Sequence, residues 1–339
     1  MKPIFYKISF SFVIIMIFIF IGCNKSNPTD SGNNGIHKWI KASNGLPANS
    51  YYNIVNIENK LYVYGGSKLY LSSNNGDLWK ATGPNLLNNN TFGGLAGVNN
   101  YLAAASAGSG VILSSDLGGT WHERQNEGLD KNIKNVKSIV MGSKYIFIGA
   151  GLNAKVFRSS DLGNTWVSVN NGLPITTQIY NPSINLLVKI DSLLFACPNS
   201  SGIYFSDNNG NNWQSMNEGL PDNSNIWSLA ASDSYYFAAV DPISNSEIGL
   251  YRSAFNTNNW EKIKVKISHS SPFFVVAQDN IIIVSSDAGI EISFNNGSTW
   301  SIINDGLENI TDKEFYSAVI CNNYIFVILN GNVWRYSLK

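Results

Sequence analysis

The chain has 339 residues, of which 44% are hydrophobic, 12% are aromatic and only 14% are charged. Its 23 Lys and Arg residues balance its 23 Asp and Glu residues, so its formal net charge at pH 7 is zero. Because nucleic-acid-binding domains carry a clustered basic surface, this composition excludes nucleic acid as the expected partner.

The first 22 residues have the pattern of a secretory signal. Lys2 and Lys7 precede an apolar stretch from Phe10 to Ile21, which ends at a glycine and Cys23. A charged start, a short apolar segment and a small residue are typical of a signal peptide. The stretch is shorter than the roughly 18 apolar residues that a membrane-spanning helix needs. We therefore predict a signal peptide at residues 1–22, with an uncleaved anchor as the alternative.

The end of this segment, Ile21-Gly22-Cys23, resembles a bacterial lipobox, although Phe20 replaces the usual Leu. The resemblance implies that Cys23 is the lipidated first residue of the mature protein. An ordinary signal peptide with an incidental cysteine is the alternative. Residues 23–36 have the Asn-, Ser- and Gly-rich composition of a flexible tether. We expect an exported protein whose lipid anchors it to the bacterial cell envelope, at the outer membrane.

Residues 37–339 contain repeats of an eight-residue box, Ser-x-Asp-x-Gly-x-Thr-Trp. The two complete copies consist of Ser114, Asp116, Gly118, Thr120 and Trp121, and of Ser159, Asp161, Gly163, Thr165 and Trp166. Partial copies keep Asn208, Gly210 and Trp213 in one unit and Asn295, Gly297 and Trp300 in another, and weaker copies end at Trp79 and Trp260. Trp39 and the tryptophans that end the boxes, up to Trp300, recur every 40–47 residues. This period suits four short strands in each blade of a propeller.

Each unit alternates short apolar runs with turns rich in Gly, Asn, Asp and Ser, which predicts strands joined by hairpins. Within the box, Asp or Asn can accept backbone hydrogen bonds, and Gly can adopt positive φ. The tryptophan can pack on the blade as the fourth strand begins. In the fifth unit, the segment Ser253–Trp260 lacks both the Asp and the Gly. We expect that turn to be the loosest.

The strand count predicts how the ring closes. Six complete units begin at Asn53, and the C terminus adds only three strands, Tyr316–Cys321, Tyr324–Leu329 and Asn332–Leu338. The missing fourth strand matches His37–Lys41 at the N-terminal end. We therefore predict an all-β, monomeric, seven-bladed β-propeller of four-stranded antiparallel blades, in which an N-terminal outer strand completes the last blade.

Two cysteines lie within the predicted propeller. Cys197 and Cys321 fall in nearly opposite blades, too far apart for the roughly 7 Å Cα separation that a disulfide requires. We expect both to be small buried hydrophobic residues.

The box and its period resemble the Asp-box, or BNR, repeat family. That family includes sialidases, xyloglucanases, sortilin-type receptors and photosystem II assembly-factor-like proteins. The resemblance extends from about residue 37 to the C terminus and implies a β-propeller fold. It does not identify an activity.

Sialidases of this family hold the substrate carboxylate with three arginines, which supply bidentate donors. Four arginines are present: Arg124, Arg158, Arg252 and Arg335. The last three lie on third strands toward the box end, opposite the implied active site, and the first lies on an outer strand. Sialidase activity is therefore disfavoured. His37, His122 and His269 are scattered, and we expect neither a metal nor a cofactor.

Xyloglucanases of the family use two carboxylates in a cleft between two propellers, and this chain has a single propeller. Asp241, Asp287 and Glu314 nevertheless fall in loops at the end where an active site is implied. Two such groups ~5–10 Å apart could act as the acid and base of glycoside hydrolysis. The other interpretation is that they are solvated turn residues.

Ligands of propellers usually bind the face formed by the loops from strand four to strand one and from strand two to strand three. Five of the former loops contain a Gly-Leu step, and such repetition favours a structural turn with a buried leucine. These steps are Gly45-Leu46, Gly128-Leu129, Gly172-Leu173, Gly219-Leu220 and Gly306-Leu307.

A binding site should instead break the repeat. Aligning the units gives one mostly polar or small column: Asn53, Gly94, Lys137, Asn185, Trp227, Phe274 and Ser317. Two residues further on, the column is apolar and is predicted to be core: Val55, Ala96, Ile139, Leu187, Leu229, Val276 and Val319.

Trp227 and Phe274 interrupt the first column, and we place Asp241 and Tyr316 beside them. Aromatic rings near a few polar groups suit a sugar or a peptide. The alternative is that both rings fill a gap between blades. We predict a non-catalytic module that binds an envelope protein or glycan, with a glycoside hydrolase and a purely structural protein as alternatives.

Overall fold

The computed structural model of this chain describes residues 37–48, 51, 53–65, 68–83, 92–106, 110–129, 136–151, 155–174, 183–242, 247–265, 274–286, 289–310 and 313–339. The predicted signal peptide, Cys23 and the tether lie outside these residues, as do Asp287 and His269. Within the described ranges there is no helix with the length and apolar content that a membrane crossing requires.

The described strands form seven four-stranded antiparallel sheets, which we number as blades one to seven from Asn53. Each blade runs in chain order from its inner to its outer strand, except that β1 is the outer strand of blade seven. Blade one has β2 (Asn53–Ile57), β3 (Lys60–Gly65), β4 (Lys68–Ser72) and β5 (Lys80–Thr82); blade two has β6 (Phe92–Val98), β7 (Tyr101–Ser106), β8 (Gly110–Ser114) and β9 (His122–Glu123); blade three has β10 (Val136–Met141), β11 (Ile146–Ala150), β12 (Val156–Ser159) and β13 (Val167–Ser168); blade four has β14 (Ile184–Ile190), β15 (Leu193–Pro198), β16 (Tyr204–Ser206) and β17 (Gln214–Ser215); blade five has β18 (Ser224–Ala231), β19 (Tyr235–Pro242), β20 (Gly249–Ala254) and β21 (Glu261–Ile263); blade six has β22 (Val275–Gln278), β23 (Ile281–Ser286), β24 (Gly289–Ser293) and β25 (Ser301–Ile302); blade seven has β26 (Phe315–Cys321), β27 (Tyr324–Leu329), β28 (Asn332–Ser337) and β1 (Ile40–Lys41).

The ring is closed as the sequence predicts. The first strands of successive blades contact each other all the way round, including β26 against β2. Blade seven takes its outer strand from the N-terminal side, with Ile40 opposite Arg335 and Lys41 opposite Trp334. The seven-bladed, all-β prediction is therefore confirmed.

The core lies between the blades. All seven residues of the predicted apolar column, from Val55 to Val319, are buried. Cys197 and Cys321 are buried in their separate blades, and no disulfide joins them. Burial raises the pKa of the Cys197 thiol, so this group behaves as a small apolar side chain.

The box forms a tight turn held by one serine and one carboxylate. In blade two, the Ser114 hydroxyl donates to Asp116 Oδ1 (2.8 Å) and accepts from the Gly118 N–H (2.8 Å). The Thr120 N–H also donates to Asp116 Oδ1 (2.8 Å). In blade six the same positions are filled by Ser293, Asn295, Gly297 and Thr299, with Asn295 Oδ1 as the shared acceptor. An amide can thus replace the carboxylate in this turn.

Blade five shows what remains when the acceptor is lost. The Ser253 hydroxyl lies 3.2 Å from the Thr257 hydroxyl, which donates to the Ala254 carbonyl (2.8 Å). The ring of Phe255 packs at 4.6 Å from that of Tyr236. This turn is therefore held by a hydroxyl pair and an aromatic contact, and its looseness stays a prediction.

The Gly-Leu steps join neighbouring blades. The N–H of Trp213 donates to the carbonyl of Asn171 (2.9 Å), the residue before Gly172. Gly172 has a φ of +94°, and a Cβ on it would lie 2.2 Å from the Trp213 carbonyl oxygen. The other four steps have the same close approach to the next tryptophan. Their leucines are buried or packed against the core, which confirms the structural interpretation.

The first prediction tests this junction. Gly172→Ala should lower the free energy of unfolding by about 2 kcal/mol or more, because the new methyl meets a carbonyl and φ is positive. The measurement is the urea unfolding midpoint at constant m-value. Gly142→Ala is the matched control, since its Cβ would meet nothing closer than 3.5 Å. Equal losses in the two variants would contradict the proposed clash.

The second prediction concerns the box carboxylate. Hydrogen bonds from the Thr120 N–H, the Thr120 hydroxyl and the Ser114 hydroxyl lower the pKa of Asp116 to about 2. The unfolded chain has a value of about 3.9, so the stabilisation is complete above that pH and is lost as pH falls toward 2. Asp116→Asn should fold, as blade six shows, but should lack this pH dependence.

Thermal melting from pH 6 to pH 2 measures this effect. The difference in Tm between the wild type and Asp116→Asn should shrink below about pH 4. A difference that stays constant down to pH 2 would show that the carboxylate charge contributes nothing to the turn.

Candidate functional site

Five of the seven inner strands contain a β-bulge near their first residues. In each of them the pairing register with the second strand skips one residue. The skipped residues are Gly93, Lys137, Asn185, Trp227 and Tyr316. Pairing is continuous over the described residues of β2 and β22. Because a bulge redirects a side chain and is frequent beside binding sites, these positions define the candidate site.

The bulges correct the alignment of the inner strands. Trp227 lies five residues before Ser232, whose N–H closes the hairpin by donating to Tyr235. Tyr316 lies five residues before Cys321, which pairs with Tyr324 in the same way. Tyr316, and not Ser317, is therefore the counterpart of Trp227. In blade two the counterpart is Gly93 and not Gly94.

The same count explains Phe274, which was predicted to face a ligand. It lies four residues before Gln278, which pairs with Ile281, so its counterpart in blade five is the buried Ser228. Phe274 is 0% exposed, and its ring meets that of Phe315 edge-on at 6.2 Å. The ring fills the space between blades six and seven, so its assignment to the ligand site was wrong.

In blades five and seven, the residue after the bulge is a serine that bonds the next blade. Ser228 donates to the Val275 carbonyl (2.9 Å) and accepts from the Val275 N–H (3.2 Å). Ser317 donates to Asn53 Oδ1 (2.9 Å) and accepts from the Ile54 N–H (3.3 Å). These bonds fix the inner strands of blades five and seven against the neighbouring blades, next to the bulge.

The bulged side chains bind polar groups at the end of the second strand. Trp227 is half-buried, and its Nε1 donates to Asp241 Oδ2 (3.1 Å). In blade four, Asn185 Nδ2 donates to Asn199 Oδ1 at the equivalent place, 14 residues further on. The structure therefore brings Trp227 and Asp241 together, as the sequence analysis expected.

Blade seven has a related arrangement. Tyr316 is half-buried, and its hydroxyl donates to Glu314 Oε2 (2.5 Å). The Glu314 N–H donates to Asn330 Oδ1 (2.7 Å). Tyr316 therefore lies two blades from Trp227, with blade six between them.

A second polar group connects blades four and five. Asn225, two residues before Trp227, pairs across the strand with Asp241. Its Oδ1 accepts the Ser200 N–H from blade four (2.9 Å). We call Asn185, Asn199, Asn225, Trp227 and Asp241 the amide–indole ledge. The sequence analysis placed Asn185 in the aligned column but singled out none of the three asparagines as a site residue, because asparagine is common in the turns of this chain.

The described candidate catalytic carboxylates belong to different blades. Asp241 lies in blade five and Glu314 in blade seven, and each accepts a hydrogen bond from an aromatic side chain of its own blade. Asp287 is outside the described residues. In the part of the chain that the structure describes, no three His, Cys, Asp or Glu side chains form a group that could hold a metal.

The third-strand arginines are structural. Each stacks on a tyrosine of its own blade and donates through Nη1 to a backbone carbonyl in the box turn of the next blade. Arg158 stacks on Tyr145 and bonds Asn209 (2.8 Å), Arg252 stacks on Tyr235 and bonds Asn296 (2.8 Å), and Arg335 stacks on Tyr324 and bonds Asn75 (2.6 Å). Their predicted place at the box end is confirmed, which removes them from the candidate site.

Comparison with known proteins agrees with the fold. The family model described as the DUF6242 beta propeller domain matches residues 16–135. No curated protein sequence matches the chain. The solved structure of YCF48 bound to D1 peptide is similar, with a TM-score of 0.68 and 14% identity over 91% of this chain and 99% of that chain.

Two further structures are similar to this chain. YCF48 from Cyanidioschyzon merolae has a TM-score of 0.68 and 14% identity over 88% of this chain and 99% of that chain. The GH74 xyloglucanase from Xanthomonas campestris has a TM-score of 0.66 and 13% identity, over 89% of this chain but only 54% of the enzyme. At these identities the likeness shows the β-propeller fold alone.

Proposed function

We propose that the chain is a non-catalytic binding module whose ligand end is formed by the bulged inner strands of blades four, five and seven. One observation carries this proposal. The same bulge presents glycine, lysine, asparagine, tryptophan or tyrosine in different blades, whereas the box turns at the other end repeat one chemistry. A surface that departs from the repeat where side chains are redirected is the expected place for recognition.

The similar solved structures support a binding role by analogy. One is described as bound to a peptide, and another is a xyloglucanase. Together with the box repeats, they support membership of the Asp-box superfamily and a protein or glycan as the ligand. We further propose that the propeller is exported and held at the bacterial envelope through lipidated Cys23.

A glycoside hydrolase is the second candidate, since similarity to a GH74 enzyme favours it. It would require two converging carboxylates. Against it, blade six separates Asp241 from Glu314, and this chain corresponds to about half of the xyloglucanase. The binding role therefore has the stronger support.

The third prediction tests the binding role. The full-length protein, purified in detergent and immobilised, should retain a component of solubilised bacterial envelope. Trp227→Ala should lose that component, because Trp227 is the half-buried aromatic side chain at a bulge of the proposed ligand end. Phe294→Ala is the matched control, since this exposed aromatic residue belongs to a box turn.

Retention that survives Trp227→Ala in a folded protein would contradict the proposed ligand end. Release of reducing sugar from xyloglucan that is abolished by Asp241→Asn would favour the hydrolase instead.

The fourth prediction tests the anchor. Cys23→Ser should abolish incorporation of labelled palmitate and move the protein from the membrane to the soluble fraction. A Cys197→Ser variant controls for the loss of a thiol elsewhere. Continued lipid labelling of Cys23→Ser would refute the lipobox assignment.

A further inference from the structure

We infer that the amide–indole ledge of blades four and five binds a neutral oligosaccharide. This inference rests on the proposed binding function and adds the chemical class of the ligand. It depends on the hydrogen-bonding capacity of the ledge, on its charge and on its rigidity.

The ledge offers matched donors and acceptors. A side-chain amide has two N–H donors and a carbonyl with two lone pairs, and a sugar hydroxyl is both a donor and an acceptor. Among the described residues, Asn185 uses one acceptor toward Ser183 (2.7 Å) and one donor toward Asn199. Asn225 Oδ1 accepts from both the N–H (2.9 Å) and the hydroxyl (3.4 Å) of Ser200, which leaves the two donors of its Nδ2. Each amide thus has more capacity than these bonds consume.

The single aromatic ring of the ledge completes this chemistry. Trp227 is half-buried, and its polar edge is already bound to Asp241. What it can offer to a ligand is the apolar area of its ring, which suits the C–H face of a pyranose. The other four ledge residues are polar and can bond the hydroxyl groups around the ring.

The charges around the ledge argue against an acidic ligand. Asp241 is the only ionisable group in the ledge, and it would repel a carboxylate or a phosphate. Arg158 and Arg252, the arginines of blades three and five, are both engaged at box turns. In blade five, Lys262 is paired with Glu247 (3.3 Å). Lys137 is the cation among the bulged residues, in blade three, one blade beyond Asn185. A neutral ligand leaves Lys137 unused, whereas an acidic one would recruit it.

The ledge is held in place before any ligand arrives. Asn185, Asn199 and Asn225 are fixed by side-chain or backbone bonds, and Trp227 is fixed by Asp241 and by packing on the core of blades five and six. A site that loses little side-chain freedom on binding keeps more of its interaction energy as affinity. Weak polar contacts with a sugar can then give measurable binding.

The test uses the full-length protein in a detergent without a sugar headgroup, followed by tryptophan fluorescence and calorimetry. The probes are cellohexaose, mannohexaose and xylohexaose, with hexagalacturonate and a pool of capped hexapeptides for comparison. At least one neutral hexasaccharide should bind. Asn225→Ala and Trp227→Ala should each raise its Kd by about tenfold or more.

Matched controls keep the result interpretable. Asn212→Ala and Phe294→Ala change an asparagine and an aromatic residue of box turns, and they should leave the Kd unchanged. If Trp227→Ala melts at a much lower temperature than the wild type, the Kd is compared for Asn225→Ala and Trp227→Phe in its place.

The outcomes separate this inference from the proposed function. If a neutral hexasaccharide binds the wild type and the ledge variants with the same Kd, the amide–indole ledge is not its binding site. Binding of hexagalacturonate that Lys137→Ala abolishes, or of hexapeptides that Asn225→Ala abolishes, would overturn the ligand class and leave the binding role intact. If no probe binds while envelope retention still depends on Trp227, the inference fails and the proposed function stands.

Discussion

Closure of the ring is the constraint on which the rest of the structure depends. Among the residues that the structure describes, two pairs, Ile40–Arg335 and Lys41–Trp334, form the ladder between the outer strand and the rest of the last blade. Further bonds support them: the Ala42 N–H donates to the Val333 carbonyl (2.8 Å), and the Trp79 indole donates to the Ala42 carbonyl (2.7 Å). The short strand is thus tied to its own blade and to the next one. A closed ring leaves no inner strand without neighbours on both sides.

The junctions between blades use a few interchangeable devices. Four indoles, those of Trp39, Trp79, Trp213 and Trp260, donate to a carbonyl of the preceding blade. The other three, Trp121, Trp166 and Trp300, donate to the glycine carbonyl of their own box. Gly-Leu turns and arginine–tyrosine stacks supplement them at particular junctions. All of these contacts occur at the junction between blades three and four and at the junction between blades seven and one.

The sequence predicted the structural features that recur from blade to blade. The tryptophan period fixed the number of blades, and the Gly-Leu steps indicated turns whose leucines are indeed packed against the core. The bulges could not be found in this way. A bulge adds one residue to a strand without changing its composition. An alignment of the units that ignores this extra residue is shifted by one position and matches Phe274 to Trp227. Counting back five residues from the hairpin pair of Cys321 and Tyr324 identifies Tyr316, and not Ser317, as the counterpart of Trp227 in blade seven. The hydrogen bonds of the ledge asparagines depend on three-dimensional contacts that no spacing encodes.

Sharing one sheet between the two ends of the propeller has a topological consequence. His37 Nδ1 lies 3.3 Å from the Ser337 carbonyl oxygen, so residues 300 positions apart in sequence are neighbours in space. A short peptide could link them, and the backbone could then be cut at another exposed hairpin without disturbing the order of the blades. The contacts of the propeller do not require any particular blade to come first in the sequence. The position of the chain termini is set by the order in which the strands are connected. A circularly permuted chain would therefore form the same set of contacts.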